Sequence, residues 1–337
     1  MQPPSDLTDI EERYRLHAAE MSTSPCYHAW ASAVADDPEV LRRLSGLPPL
    51  KQQANLVFAA ARRHGLAPGP YDDLRALLLG PEWPAVRETI LARRTQTNEV
   101  ARLTALTLAL GMLGDGPVAL VELGASAGLC LYPDRYDYLW GGAGELLGSG
   151  GPTLRIPVSG PVPVPAGHPR ITARVGIDLD PLDVTDEDDM GWLLTLIWPG
   201  HDERRDRLAA AIEVTRAEPP HLLAGDMLDR LDEAIEIAAA SGGTPVVHHS
   251  AAAAYLDEHD RAELENRLRT LVAAGRCHWI SLEGPRVIPS LAVTAPRPYA
   301  ADHFCLAVDG RALGWFQGHG AALGWVSPEP AGEYPSK

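Results

Sequence analysis

Val121-Glu122-Leu123-Gly124-Ala125-Ser126-Ala127-Gly128 reads as a buried strand running into a turn of small residues, with Leu129 beyond it. The apolar run begins at Val118, so the expected strand is Val118 to Leu123. Gly124 and Gly128 let the backbone turn tightly and approach a ligand, while Ala125, Ser126 and Ala127 keep the loop free of bulk. A helix after the turn would present the positive end of its dipole to that ligand. Taken alone, the turn fits either a nucleotide-type ligand or simple close packing.

Two further stretches repeat the pattern of an apolar run ending in an acid. Val175-Gly176-Ile177-Asp178-Leu179-Asp180-Pro181 places Asp178 at a strand end, where a carboxylate can accept hydrogen bonds from both hydroxyls of a ribose. The competing explanation is a helix cap or a turn at Asp180-Pro181, which suits Asp180 better than Asp178. Leu222-Leu223-Ala224-Gly225-Asp226 ends in an acid able to face an adenine amino group, although capping is the preferred explanation of Asp226 as a lone feature.

Around these stretches the chain divides at about residue 114. Residues 1 to about 113 carry apolar residues at helical spacing, broken at Pro48-Pro49, Pro68 to Pro70 and Pro81. From about 115 to 330, short apolar runs alternate with amphipathic segments, as in a parallel sheet covered by helices. Besides Val118 to Leu123, the expected strands are Ala173 to Asp178, Pro245 to His248, His278 to Glu283 and Phe304 to Val308. Segments 130–170 and 184–216 read as insertions, the first Gly- and Pro-rich and either an irregular surface excursion or an active-site cover, the second acidic and then helical. Phe304 to Phe316 is expected to form an antiparallel hairpin turning at Asp309-Gly310, because Asp-Gly favours primed turns. A dinucleotide fold would need a crossover helix there, and the spacing leaves no room for one.

The order of these three elements resembles the class I S-adenosylmethionine (SAM)-dependent methyltransferases, over roughly residues 115 to 325. Glu122 to Gly128 is similar to their first motif, most of all to the ELGAYCG form of catechol methyltransferases. Together, ELGASAGL, GIDLDPLDVTD and SLEGP also resemble an uncharacterised bacterial family, a domain of unknown function with a methyltransferase-like fold. The resemblance implies a class I methyltransferase-like, Rossmann-like α/β sheet with an antiparallel C-terminal hairpin, preceded by a helical N-terminal region. It implies SAM as cofactor, with Glu122, Gly124, Ser126 and Gly128 in the loop, Asp178 on the ribose and Gly225-Asp226 at the adenine. Glu122 and Asp178 stand 56 residues apart, against about 20 in a simple βαβ unit, so an insertion must intervene. Ser126 stands where many relatives have glycine, which requires a backbone that does not need positive φ there.

Ligands of open α/β sheets sit beyond the carboxyl ends of the strands, which makes His248, His249, Ser250 and Glu283 the candidate reacting groups. Adjacent on one strand, His248 and His249 project to opposite faces and make a poor metal pair, so no metal is expected; one of them suits a general base while the other packs. Glu283 precedes Gly284-Pro285 and alternatively orients that turn. In Thr95-Gln96-Thr97-Asn98-Glu99, capping of the next helix, about Val100 to Leu113, by Thr95 or Thr97 is the simpler explanation. The sharper one has Gln96, Asn98 and Arg102 lining the ligand crevice, as helices before the first strand often do in methyltransferases.

Composition limits the function classes. The formal net charge of -16 over 337 residues, with no basic block, disfavours binding along nucleic acid. Cys26, Cys130, Cys277 and Cys305 lack a CxxC pair, which fits a reducing compartment. No signal peptide or membrane-spanning run is expected, and the anticipated address is cytoplasmic. The expected function is SAM-dependent transfer, most simply methylation of a small molecule. The alternatives are SAM chemistry without methyl transfer, such as cyclisation or aminocarboxypropyl transfer, and a ligand-binding protein that kept the fold without catalysis. The oligomeric state is not encoded in any recognisable pattern.

Overall fold

The computed structural model of the chain describes residues 7–96, 98–295, 303–318 and 320–326. Six helices precede the sheet: α1 (Leu7–Glu20), α2 (Pro25–Ala35), α3 (Pro38–Leu44), α4 (Ala54–Arg63), α5 (Tyr71–Leu79) and α6 (Trp83–Ala92). A seventh, α7 (Leu103–Gly111), leads into the first strand. Two compact units result, one of residues 1–97 with 186–209, the other of residues 98–185 with 210–337. The acidic segment 184–216 is helical, forming α8 (Glu187–Leu196) and α9 (Asp202–Arg216), and the unit boundary falls inside α9.

In the helical unit, Tyr14, Tyr27, Trp30 and Phe58 pack edge-on or stacked with centroids 5.1 to 6.1 Å apart. Asp186 caps α8 by accepting from the backbone of Asp188 and Asp189, and the acids of that first turn suit the positive helix end. At the other end of α8, Arg62 Nη1 donates to the carbonyls of Thr195 (2.9 Å) and Ile197 (2.8 Å), which the helix itself leaves unpaired. Arg63 and Arg93 both pair with Asp188, and Arg93 also reaches Asp189. Among the described residues no helix is long and apolar enough to cross a membrane.

All strands among the described residues lie in the second unit: β1 (Val118–Leu123), β2 (Asp137–Gly141), β3 (Gly144–Leu146), β4 (Thr153–Ser159), β5 (Ile171–Asp178), β6 (His221–Ala224), β7 (Thr244–Ser250), β8 (His278–Glu283), β9 (His303–Val308), β10 (Arg311–Gln317) and β11 (Leu323–Trp325). They form one mixed sheet in the order β3-β2-β4-β11-β10-β9-β8-β7-β1-β5-β6. From β6 to β8 the strands are parallel, and from β8 to β11 each neighbour is antiparallel to the last. Every residue of β1 is buried, as expected of a strand with neighbours on both edges and cover on both faces. Val121, Leu123, Ile177, Val247 and Trp279 share a core with α10 (Met227–Ala239) and α11 (Glu258–Ala273). The residues between them in register, including Glu122, His248 and Ile280, turn to the opposite face, toward Leu103 and Leu106 of α7.

Three features depart from the sequence reading. No α-helix follows the small-residue turn: two 3-10 turns, Leu129–Leu131 and Pro133–Arg135, lead on toward β2, so no α-helix dipole faces the loop. Segment 130–170 is an ordered part of the sheet, with Trp140-Gly141-Gly142-Ala143-Gly144 turning between β2 and β3 and with β4 paired in parallel to both β2 and β11. Thr95 bonds Gln53, and Glu99 is the residue that caps the turn at Val100–Arg102, while Thr97 lies outside the described residues. The hairpin at Asp309-Gly310 is present, with φ of 48° and 86° at its two turn residues as a type I′ turn requires.

Gly176, in the middle of β5, shows how tightly the small-residue loop is laid on the sheet. A Cβ there would lie 2.6 Å from the Cβ of Ala125 and 2.6 Å from a methyl of Leu222. Gly176→Ala should therefore cost about 1–3 kcal/mol through overpacking. Urea denaturation checks this, and an unchanged midpoint would mean that the loop shifts freely.

Candidate functional site

The chain passes from β1 to β5 and β6 on one side, then returns to place β7 and β8 on the other, so the carboxyl ends of β1 and β7 flank the point where strand order reverses. Gly124 turns the chain there with φ of 72° and packs so closely on the loop after β7 that a Cβ would lie 2.6 Å from the Cβ of Ala252. Gly128, also at φ 72°, packs on Pro220 and Leu222. Among the described non-glycine residues, positive φ occurs at Ser126 (52°), Ala251 (54°) and Asp309 (48°). The last belongs to the hairpin; the other two stand in the loops at the switch point. Each such residue costs on the order of 1–3 kcal/mol and persists only where its surroundings hold it.

Ser126 is held by three bonds. Its N–H donates to Asp178 Oδ2 at 2.7 Å, its hydroxyl accepts from Asn98 Nδ2 at 2.8 Å, and its carbonyl accepts from the N–H of Leu182 at 3.2 Å. The expectation that serine stands here because the backbone avoids positive φ is therefore incorrect; side-chain and backbone bonds hold the strained conformation instead. Asp178 Oδ1 accepts from the N–H of Asp180 at 2.9 Å, so the turn acid is Asp178 itself and Asp180 supplies the donor. One carboxylate thus ties the loop after β1 to the loop after β5. It remains half-buried, and each oxygen keeps a lone pair for a further donor. Gly225 donates its N–H to the Asp178 carbonyl at 2.9 Å, and Asp226 caps α10 through the Leu228 N–H at 2.8 Å.

On the sheet face covered by α10 and α11, Glu283 Oε1 accepts from His249 Nδ1 at 2.8 Å and from the N–H groups of Ala252 and Ala253 at 2.9 Å each. Glu283 therefore orients the loop after β7, not its own Gly284-Pro285 turn. Trp279 Nε1 donates to His249 Nε2 at 2.9 Å. An indole N–H can only donate, so Nε2 is the acceptor and the His249 proton sits on Nδ1. With both ring nitrogens engaged and the residue 1% exposed, His249 is fixed as a packing element. Trp279 is the member of this group that sequence reasoning missed, since nothing distinguishes it from an ordinary core tryptophan of a strand.

The opposite face holds Glu122 and His248, directly paired in register on β1 and β7. Arg102 lies beside them and donates through Nη1 to the carbonyl and hydroxyl of Ser250, both at 2.9 Å. Burial raises the Glu122 carboxyl well above its ordinary range, opposed by Arg102. Burial likewise lowers His248 to about 3, with His249 adding to the effect. Asn98 and Arg102 thus brace the loops at the strand ends, while Gln96 is half-buried within the helical unit. Outside this region, His259, Asp260 and Glu263 at the start of α11 are the one described group whose ligand atoms lie near enough, within 4.8 Å, to share a metal.

Glu122 and His248 pull the pH dependence of stability in opposite directions. Unfolded, His248 takes up a proton below 6.5 that the folded site refuses, so its contribution is lost as pH falls toward about 3. Unfolded, Glu122 ionises above 4.5 while the folded carboxyl stays protonated, so its contribution is lost as pH rises. Between 4.5 and 6.5 the two slopes oppose each other. Glu122→Gln should leave the His248 slope exposed, so that stability rises with pH relative to wild type across that window, by up to about 1.4 kcal/mol per pH unit. His248→Asn should give the reverse slope. Denaturation series in buffers spanning the window test both signs.

No curated protein and no solved structure matches the chain. A family model described as "Uncharacterized protein conserved in bacteria (DUF2332)" matches residues 11–325, across both the helices and the sheet. By that match the chain belongs to this uncharacterised bacterial family.

Proposed function

We propose that the protein is a SAM-dependent transferase acting on a small molecule, with its cofactor bound at the carboxyl ends of β1, β5 and β6. The observation that carries this reading is the pair of strained residues at the switch point, Ser126, held by Asp178, and Ala251, whose N–H donates to the Leu282 carbonyl of β8. Strain kept in place by several bonds is characteristic of ligand-binding loops. The strand order β6-β5-β1-β7-β8, followed by an antiparallel hairpin, supports a class I methyltransferase-like architecture.

The residues present fit such a cofactor. Asp178 is half-buried at a parallel strand end and keeps acceptor capacity on both oxygens, as ribose hydroxyls require. Gly124 and Gly128 shape a loop without bulk, and Gly225 brings the start of α10 close to the Asp178 backbone. When bound, SAM would supply the electrophilic carbon attached to its sulfonium. The chain's part would be to bind and orient, since His249 and Glu283 are committed to internal bonds and His248 lies buried beneath the loop. The same commitment favours, as a second reading, a protein that binds an adenosine ligand without catalysis. Non-methyl SAM chemistry would use the same contacts.

Calorimetry with SAM, S-adenosylhomocysteine, NAD and adenosine separates these readings. Binding of both sulfur ligands but not NAD is expected, and mass analysis of products then distinguishes transfer from binding alone. A folded protein with affinity for none of the four would refute the proposal. Asp178→Asn should weaken SAM binding by roughly tenfold, because one charged acceptor is lost while the loop tie is partly kept. Unchanged affinity in this variant would remove Asp178 from the ligand site.

A further inference from the structure

Two polar atoms stand out beneath the loop after β1. Glu122 Oε2 and His248 Nε2 are each buried, and neither has a hydrogen-bond partner among the described residues. The residues are register partners on adjacent parallel strands, so both side chains leave the sheet on the same face. Both line one cavity of about 20 Å³, closed on its other sides mainly by apolar groups such as Leu103, Leu106 and Leu306. Two orphaned groups of this kind are costly to bury. A polar cavity of that volume accommodates one water, and one water needs two or more polar partners.

We infer that this cavity is a built water site in which a single water molecule bridges Glu122 Oε2 and His248 Nε2. The polarity of the bridge follows from the environment: the buried carboxyl is held as the acid and donates to the water oxygen, and the water donates to the neutral imidazole. Arg102, on the cavity wall, is already committed to Ser250 and does not form an ion pair with Glu122 at hydrogen-bond distance. Glu122 and His248 are thereby assigned a shared internal ligand, independent of whether any cofactor binds above them.

A crystal structure of the wild-type protein at a resolution that orders internal water tests the assignment. One peak within hydrogen-bond distance of both atoms is expected. A direct contact between carboxyl and imidazole, or a collapsed cavity without water, overturns the proposal. Stability measurements supply a second readout. His248→Leu alone should lower the folded-to-unfolded ratio roughly tenfold, because water and Glu122 lose their acceptor. Adding Glu122→Leu should restore most of that loss, since removing both polar partners removes the need for the water. Strictly additive losses in the two variants would overturn the proposal.

Discussion

The backbone of β1 must be hydrogen-bonded along both edges, because all six of its residues are buried. Parallel pairing with β5 on one side and β7 on the other meets that demand, residue for residue from Val118 to Leu123 on the β7 edge. The rest of the second unit follows. Strands that flank β1 on both sides force the chain to reverse its direction of winding, and the reversal brings the loops after β1 and β7 to the same edge, where they pack on each other. Alternation along β1 then sends Val121 and Leu123 into one core and Glu122 into the other face.

Where the parallel strands end, carboxylates take over from the ladder. Asp178 gathers the backbone of Ser126 and Asp180, Asp226 gathers that of α10, and Glu283 gathers Ala252 and Ala253 with His249. Each acid supplies acceptors to N–H groups that have no strand partner, which is the usual cost of a loop leaving a buried sheet. The distinction among them is exposure. Glu283 is closed off, whereas Asp178 and Asp226 stay half-buried at the carboxyl edge of the parallel strands. A site can therefore be rigid before it is filled, which lowers the ordering entropy that binding has to overcome.

The legible parts of the chain were those with strong local signals. The apolar run into Gly124 marked β1 to the residue, and Asp309-Gly310 marked the hairpin, because positive φ at two successive positions demands those residue types. The strands β2 to β4 were hidden by their glycines and prolines: β4 is stabilised through β2 and β11, and β11 lies far along the chain, so no local pattern announces it. The acids at the strand ends stand out in the sequence, but their partners were not legible. That Ser126 adopts φ of 52° depends on Asn98 and Asp178, and that His249 is immobilised depends on Trp279. Tertiary bonds of this kind leave no trace in spacing.

The parallel pairing of β4 with β11 also orders events during synthesis. Val158 emerges from the ribosome long before its partner Leu323. At ordinary translation speeds of about 5–20 residues per second, that edge of β4 waits roughly ten to thirty seconds for its neighbour. An unpaired strand edge is a template for association with other chains while it waits. The alternating exposed positions of β4, with Arg155 and Pro157 among them, present a charge and an imino acid during that interval. Both make a nascent edge a poor surface for another strand to join.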